Sequence, residues 1–209
     1  MIIKKFEIGI YRANNYLLID EKTNLAVLID CSGNFEKINY ELKKANATLQ
    51  KIILTHGHFD HIFGLEEALQ KSSATVYINE KDLAIAEKLP EQLAVFDLEG
   101  GHVPQISNFI KDNEIIEVGN IKIKAVETPG HSEGSMCYFV GNTIFTGDTL
   151  FNRGIGRTDL FGGNYQDLVT SLKTKLLNVE QNYKIMPGHG KESYLDFERK
   201  NNPFLAEIL

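Results

Sequence analysis

Cysteine is scarce: 209 residues contain two, Cys31 and Cys137, both in apolar, strand-like settings far apart in sequence. So few thiols allow one pairing at most, and reduced cysteines of a cytoplasmic protein are the simpler reading. Long apolar runs are missing too, and nothing approaches the ~20 residues that a membrane span requires. Residues 1–10 include two lysines and a glutamate, which speaks against a signal peptide. Basic charge is in deficit, 22 Lys and Arg against 28 Asp and Glu, for a formal charge of −6. No nucleic-acid footprint is therefore expected, and the pairs Lys4-Lys5 and Lys43-Lys44 read as solvated faces. Repeats of fixed period and low-complexity tracts are absent as well. What is left is an ordinary globular composition, 43% hydrophobic and 24% charged.

Along the chain, strands and helices alternate. Residues 15–20 (NYLLID) and 25–30 (LAVLID) read as strands around a polar turn. Phe35, Ile38, Leu42 and Ala45 recur at helical spacing. A buried strand over 51–55 precedes a helix from Asp60 through Ile62, Leu65 and Leu69, and another strand covers 74–78. Asn79 suits the N-cap of a helix running to about Leu89. Residues 93–112 lack periodicity and read as a long loop. Strands are expected near 114–118, 121–127, 135–140 and 143–147, then a helix capped by Asn164 and a last strand over 183–186. That pattern predicts sheets covered by helices.

Histidine is sparse, six in all, but it is not scattered. Five of the six follow one local grammar: an apolar run, a glycine-containing turn, then the imidazole. The stretch KIILTHGHFDH supplies His56, His58 and His61 together with Asp60; VETPGHSEG supplies His131; YKIMPGHGKE supplies His189. NTIFTGDTLF places Asp148 in the same setting. Glycine permits tight turns that aim side chains back over a strand end, and strand ends of a packed sheet converge on one rim. Nitrogen and carboxylate ligands together suit zinc, iron or manganese. The spacing favours two ions. His56 and His58, on an extended turn, point to one side, whereas Asp60 and His61 turn toward a neighbouring position as the helix starts. Seven groups with one bridging carboxylate fill two sites of four protein ligands, leaving room for solvent.

His56-x-His58-x-Asp60-His61, followed by His131, Asp148 and His189, resembles the metallo-β-lactamase superfamily over nearly the whole chain. The resemblance implies an α/β fold, the αββα four-layer sandwich, as a single domain over residues 1–209. It implies a first metal on His56, His58 and His131, a second on Asp60, His61 and His189, and Asp148 bridging. Asp30, closing LAVLID, matches the family's aspartate behind the site. Two divalent ions are implied as cofactors, zinc first, with iron or manganese as alternatives.

Residues 146–163 (TGDTLFNRGIGRTDLFGG) and 187–205 resemble the small bacterial glyoxalase II-like hydrolases. That branch implies hydrolysis of a thioester such as S-lactoylglutathione by a metal-bridging hydroxide, with Asp60 orienting and helping to deprotonate the water. The thiol leaving group, of pKa near 8.5, departs without a strong acid. Full-length glyoxalase II carries a helical C-terminal domain that helps bind glutathione, and only twenty residues follow His189 here. A thioester in general is thus implied more strongly than a glutathione thioester. Arg157 either receives a substrate carboxylate or closes a loop bracket with Asp159, and both stay open.

The rival on the same fold is a persulfide dioxygenase with one iron held by two histidines and an aspartate, which the GRTD segment also resembles. A nucleic-acid phosphodiesterase is disfavoured by the acidic balance, and a non-enzymatic metal-binding module by the presence of all seven ligand positions. The expected partner is a small-molecule thioester, with no nucleic acid or membrane; a homo-oligomer stays open. His102 stands outside the grammar and reads as an exposed loop histidine. Cys31 reads as a buried structural thiol. The apolar tail over 201–209 docks either on the domain or on a second subunit.

Overall fold

A computed structural model describes residues 1–99 and 101–208; Gly100, in the long loop, and Leu209, ending the apolar tail, lie outside the described residues. Two six-stranded sheets dominate. In the first, β1 (Ile2–Ile8), β2 (Ala13–Asp20), β3 (Leu25–Ile29), β4 (Thr48–Ile53), β5 (Thr75–Ile78) and β6 (Asn108–Phe109) pair in chain order. The first three strands are antiparallel and the later pairings parallel. The second sheet holds β7 (Ile115–Val118), β8 (Ile121–Glu127), β9 (Met136–Val140), β10 (Thr143–Gly147), β13 (Lys184–Pro187) and β14 (Ser193–Tyr194). A separate hairpin, β11 (Leu150–Phe151) and β12 (Gly154–Ile155), stands between β10 and β13 in the chain.

Period-two alternation explains the layering. On β2, Leu17 and Ile19 face a core shared with Phe35, Ile38 and Leu65, while Tyr16 and Leu18 face Ile123, Tyr138 and Phe145 of the other sheet. The second sheet's outer side packs Cys137, Ile144 and Ile185 against Leu168, Leu172 and Leu176. Helix, sheet, sheet and helix thus stack in four layers, and both inner sheets are covered on each face, as largely apolar strands require. The tail docks on this same chain, because Leu205 and Ile208 join the outer core. Among the described residues, no helix is long and apolar enough to cross a membrane.

The helices follow the sequence signals, with informative breaks. α1 (Phe35–Lys44) buries Phe35, Ile38 and Leu42 as expected. The helix expected from Asp60 is two pieces, α2 (Phe59–Ile62) and α3 (Leu65–Lys71), because the Gly64 N–H leaves the helical ladder to donate to Cys31 O, an approach so close that a Cβ on Gly64 would sit 2.3 Å from the Gly33 nitrogen. The Asn79 side chain caps a short 3₁₀ turn by accepting the Lys81 N–H. Beyond it the helix runs past Leu89, as α4 (Leu83–Glu87) and α5 (Leu89–Ala94), broken at Lys88 because Pro90 has no N–H to continue the ladder. Asn164 caps α6 (Tyr165–Ser171) by accepting two amides. Strands β1, β6 and β14 and the hairpin lie outside the expected elements; all but β1 are two residues long, too short for a periodic signal.

Candidate metal centre

All the grouped ligands sit where strands end along one rim. His56 and His58 follow β4, His131 follows β8, Asp148 follows β10 and His189 follows β13. Asp60 and His61 ride on the single turn of α2. Glycine is demanded here by space: a Cβ on Gly188 would lie 2.2 Å from Asp148 Oδ1. The amino end of β2 fastens the last ligand loop, since Asn14 N–H donates to the Gly188 carbonyl and the Asn14 side chain and Tyr16 hydroxyl both donate to Pro187 O.

Three overlapping sets of donor atoms each fit within 4.8 Å: His56, His58 and His131; His56, His61 and Asp148; Asp60, His61 and His189. Asp148 stands between the first and last sets. Its Oδ2 is 3.6 Å from His131 Nε2 and 3.5 Å from His189 Nε2, and its Oδ1 is 3.5 Å from His61 Nε2. Asp60 Oδ2 lies 3.2 Å from His189 Nε2. Every residue expected to hold a metal is therefore in one cluster.

Hydrogen bonds behind the rings test whether this cluster suits a cation. His61 Nδ1 faces Asp30 Oδ2 at 2.8 Å, His131 Nδ1 faces the Arg157 carbonyl at 2.8 Å, and His189 Nδ1 faces the Tyr11 carbonyl at 3.0 Å. Those partners only accept, so each Nδ1 carries the proton and, in the neutral ring, each Nε2 offers a lone pair inward. The Thr55 hydroxyl donates to Asp30 Oδ2, which leaves it to accept from His56 Nδ1 at 3.0 Å and frees His56 Nε2 likewise. His61 Nε2 and His189 Nε2 then confront each other at 3.2 Å. Two lone pairs at that distance repel, so either a proton or a metal ion joins them. Buried His56 Nε2, His58 Nε2 and Asp148 Oδ1 have no hydrogen-bond partner among the described residues. Such outward anchoring of rings is how proteins orient metal-binding imidazoles, and these residues fit two divalent ions.

Charge sorts the two halves. Burial and neighbouring imidazoles push His56 well below its ordinary value, and burial holds His58 down at about 4. Burial opposes protonation of His61 also, but Asp30, Asp148 and Asp60 outweigh it and lift that ring to about 10. Burial acts against ionised Asp60, yet His61 and His189 together hold it well below the usual carboxylate range. The His61 side therefore demands positive charge, and the His56 side accepts it without giving up a proton.

Two positioning residues carried no signal in the sequence. Fully buried Asp82 accepts Gly57 N–H at 2.8 Å, Ser132 Oγ–H at 2.7 Å and Gly134 N–H at 2.6 Å, tying the His58 loop to the His131 loop. Gln92 donates to Gly57 O and Ile85 O and accepts the Phe59 N–H, which fastens the same loop to α4. An acid or amide inside a short helix looks like solvated surface until its tertiary partners are known.

The cluster opens into a pocket of about 650 Å³, in whose wall Phe59 takes part. Arg157 also borders it, but its guanidinium makes a bidentate pair with Asp159, both bonds 2.7 Å, so of its two expected roles the loop bracket is the one present. His102 is exposed and does not border the pocket. Cys31 and Cys137 are free and buried, and the Cys31 backbone pairs with His61 O and Gly64 N.

Known proteins supply the context. The family described as the metallo-beta-lactamase superfamily matches residues 9–189. A probable metallo-hydrolase, YqgX of Bacillus subtilis, is 35% identical over 97% of this chain and 96% of its own length. The hydroxyacylglutathione hydrolase GloC of Haemophilus influenzae is 33% identical over 98% of both chains. The crystal structure of TTHA1623 in a di-iron-bound form superposes with a TM-score of 0.88 at 28% identity, covering 97% of this chain and all of the other.

Proposed function

The chain belongs to the metallo-β-lactamase superfamily, and on that premise we propose that this metallo-hydrolase is a dinuclear thioester hydrolase resembling glyoxalase II. One observation carries the reading: Asp148 stands within 3.6 Å of imidazole nitrogens from both histidine sets, so it is the carboxylate that would be shared by two neighbouring ions. When bound, two such ions supply a hydroxide nucleophile at neutral pH and withdraw charge from the attacked carbonyl.

The protein's own part is positional. Asp60 borders the pocket, and its carboxylate, held ionised, accepts a hydrogen bond from a water placed between the two sets and so aims it. Asp30, Thr55 and the Arg157 and Tyr11 carbonyls lock the imidazoles so that none of the four rings turns when substrate enters. The leaving thiolate needs no strong acid.

The dioxygenase reading uses one iron on two histidines and an aspartate, and it assigns no metal to the Asp60, His61 and His189 set that the cluster also presents. Zinc, iron and manganese all suit the donor set. The deciding experiment measures thiol release from S-lactoylglutathione, coenzyme A thioesters and small-thiol thioesters, beside oxygen uptake with glutathione persulfide on the same metal-loaded sample. Thiol release without oxygen uptake is expected; oxygen uptake without thioester turnover would transfer the chain to the dioxygenase reading.

A further inference from the structure

The pocket's walls are unlike those a peptidic, multiply charged thiol needs. On one side Tyr11, Phe59 and Phe96 form a mutually packed aromatic cluster with ring centroids 5.0–5.5 Å apart. Facing the same space are Ile155, Leu160 and Phe161. Several of these are costly to leave in water: Phe161 is 68% exposed and Phe96 is 38% exposed. Large apolar side chains gathered around a reactive centre mark an apolar ligand.

Charge points the same way. Glutathione thioesters carry two carboxylates and an ammonium at neutral pH, and a site for them needs free cations in the wall. Arg157 is paired with Asp159 at the exposed edge of the pocket. Lys88 lies over the Phe161 ring, 4.7 Å from its centroid, with Glu91 bordering the same pocket. Among the described residues lining the pocket, the two fixed cations, Lys88 and Arg157, are outnumbered by three acids, Asp60, Glu91 and Asp148.

We propose that the pocket selects thioesters whose acyl group is an apolar chain, seated between the Tyr11–Phe59–Phe96 cluster and Phe161, in preference to glutathione conjugates. This rests on the thioesterase reading but is tested separately from it. The probes are N-acetylcysteamine thioesters with straight acyl chains of increasing length, with S-lactoylglutathione as comparator, on the metal-loaded enzyme. A methylene fully removed from water is worth about fourfold, so kcat/KM is expected to rise about two- to fourfold per methylene. Octanoyl is expected to exceed S-lactoylglutathione, and Phe161→Ala is expected to flatten the dependence on chain length. Turnover that ignores chain length, or prefers S-lactoylglutathione, overturns the acyl proposal and leaves the hydrolase reading standing. A binding measurement separates the opposite case. Octanoate should bind more tightly than acetate by calorimetry, and Phe161→Ala should weaken it. Such binding without turnover of any thioester would sustain the apolar site and sink the thioesterase reading, whereas equal affinity for octanoate and acetate would remove the site.

Discussion

Asp30 holds its carboxylate 2.8 Å from His61 Nδ1 while its own backbone sits at φ +60°, in the left-handed region that disfavours most side chains. The same carboxylate accepts the Thr55 amide at 2.7 Å and the Thr55 hydroxyl at 2.8 Å, so one acid aligns the turn that carries His56 and the ring of His61. Asparagine tolerates this backbone and keeps the shape, but its amide must present a donor to groups that already donate. Asp30→Asn is expected to cost ~10–100-fold in metal affinity, chiefly for the ion nearest His61. Metal counting after dialysis checks it; full retention of both ions would show that Asp30 only packs.

Purified protein should hold close to two equivalents of divalent metal, and chelation should abolish thioester hydrolysis. His189→Ala should empty one position far more than the other, because His189 belongs only to the set with Asp60 and His61. Asp148→Ala should impair both. Elemental analysis of the three proteins decides; a single equivalent in the unaltered protein would end the dinuclear proposal.

The two halves should also differ in their response to pH. His61 is lifted to about 10, so at neutral pH an ion entering that side must displace its proton. Affinity there is expected to fall about tenfold for each unit of acidification below pH 9. His56 and His58 are held low, the latter at about 4, and have no proton to lose above pH 6, so they add no pH dependence of their own on the other side. Competition with a chelator from pH 6 to 9 separates the two ions, and parallel slopes would contradict this assignment.

Asp60 is given two roles that a single substitution divides. Asp60→Asn keeps one oxygen for the metal but cannot hold the water's proton. Turnover should fall by ~10²–10⁴-fold even at saturating metal. Recovery of near-normal rates on adding metal would reduce Asp60 to a ligand.

Asp82 touches no substrate, yet removing it strands the Gly57 and Gly134 amides in a buried turn, while the Ser132 hydroxyl keeps Ser135 Oγ as a partner. Asp82→Ala is expected to cost about 2 kcal/mol or more of stability, from two unsatisfied amides at roughly 1–3 kcal/mol each. It should also weaken the ion shared by His58 and His131. A thermal midpoint that does not move would refute the staple.

Most of this centre was legible because its residues announce themselves. Histidine is scarce, and five of six histidines in three stretches of apolar run, glycine and imidazole left few alternatives to convergence at one rim. The capping of α6 by Asn164 and the α1 stripe were readable for the same reason: local spacing determines them. Asp82 and Gln92 were not readable, since their role exists only across 50 and 35 residues of chain. Strand β1 was missed because its partly buried lysines blur the period-two pattern at a sheet edge. Arg157 illustrates the limit within a motif: the sequence placed it beside the pocket, but only coordinates reveal that Asp159 already occupies its fork.

The fastening of the Pro187–Gly190 turn to Asn14 and Tyr16 gives the molecule a schedule. His61 and His189 are 128 residues apart, and ribosomes add about 5–20 residues per second, so on the order of ten seconds separates their synthesis. His56, His58 and His131 are all made well before the β13 turn. A chain halted before β13 therefore carries that whole set but lacks His189, which belongs only to the set with Asp60 and His61.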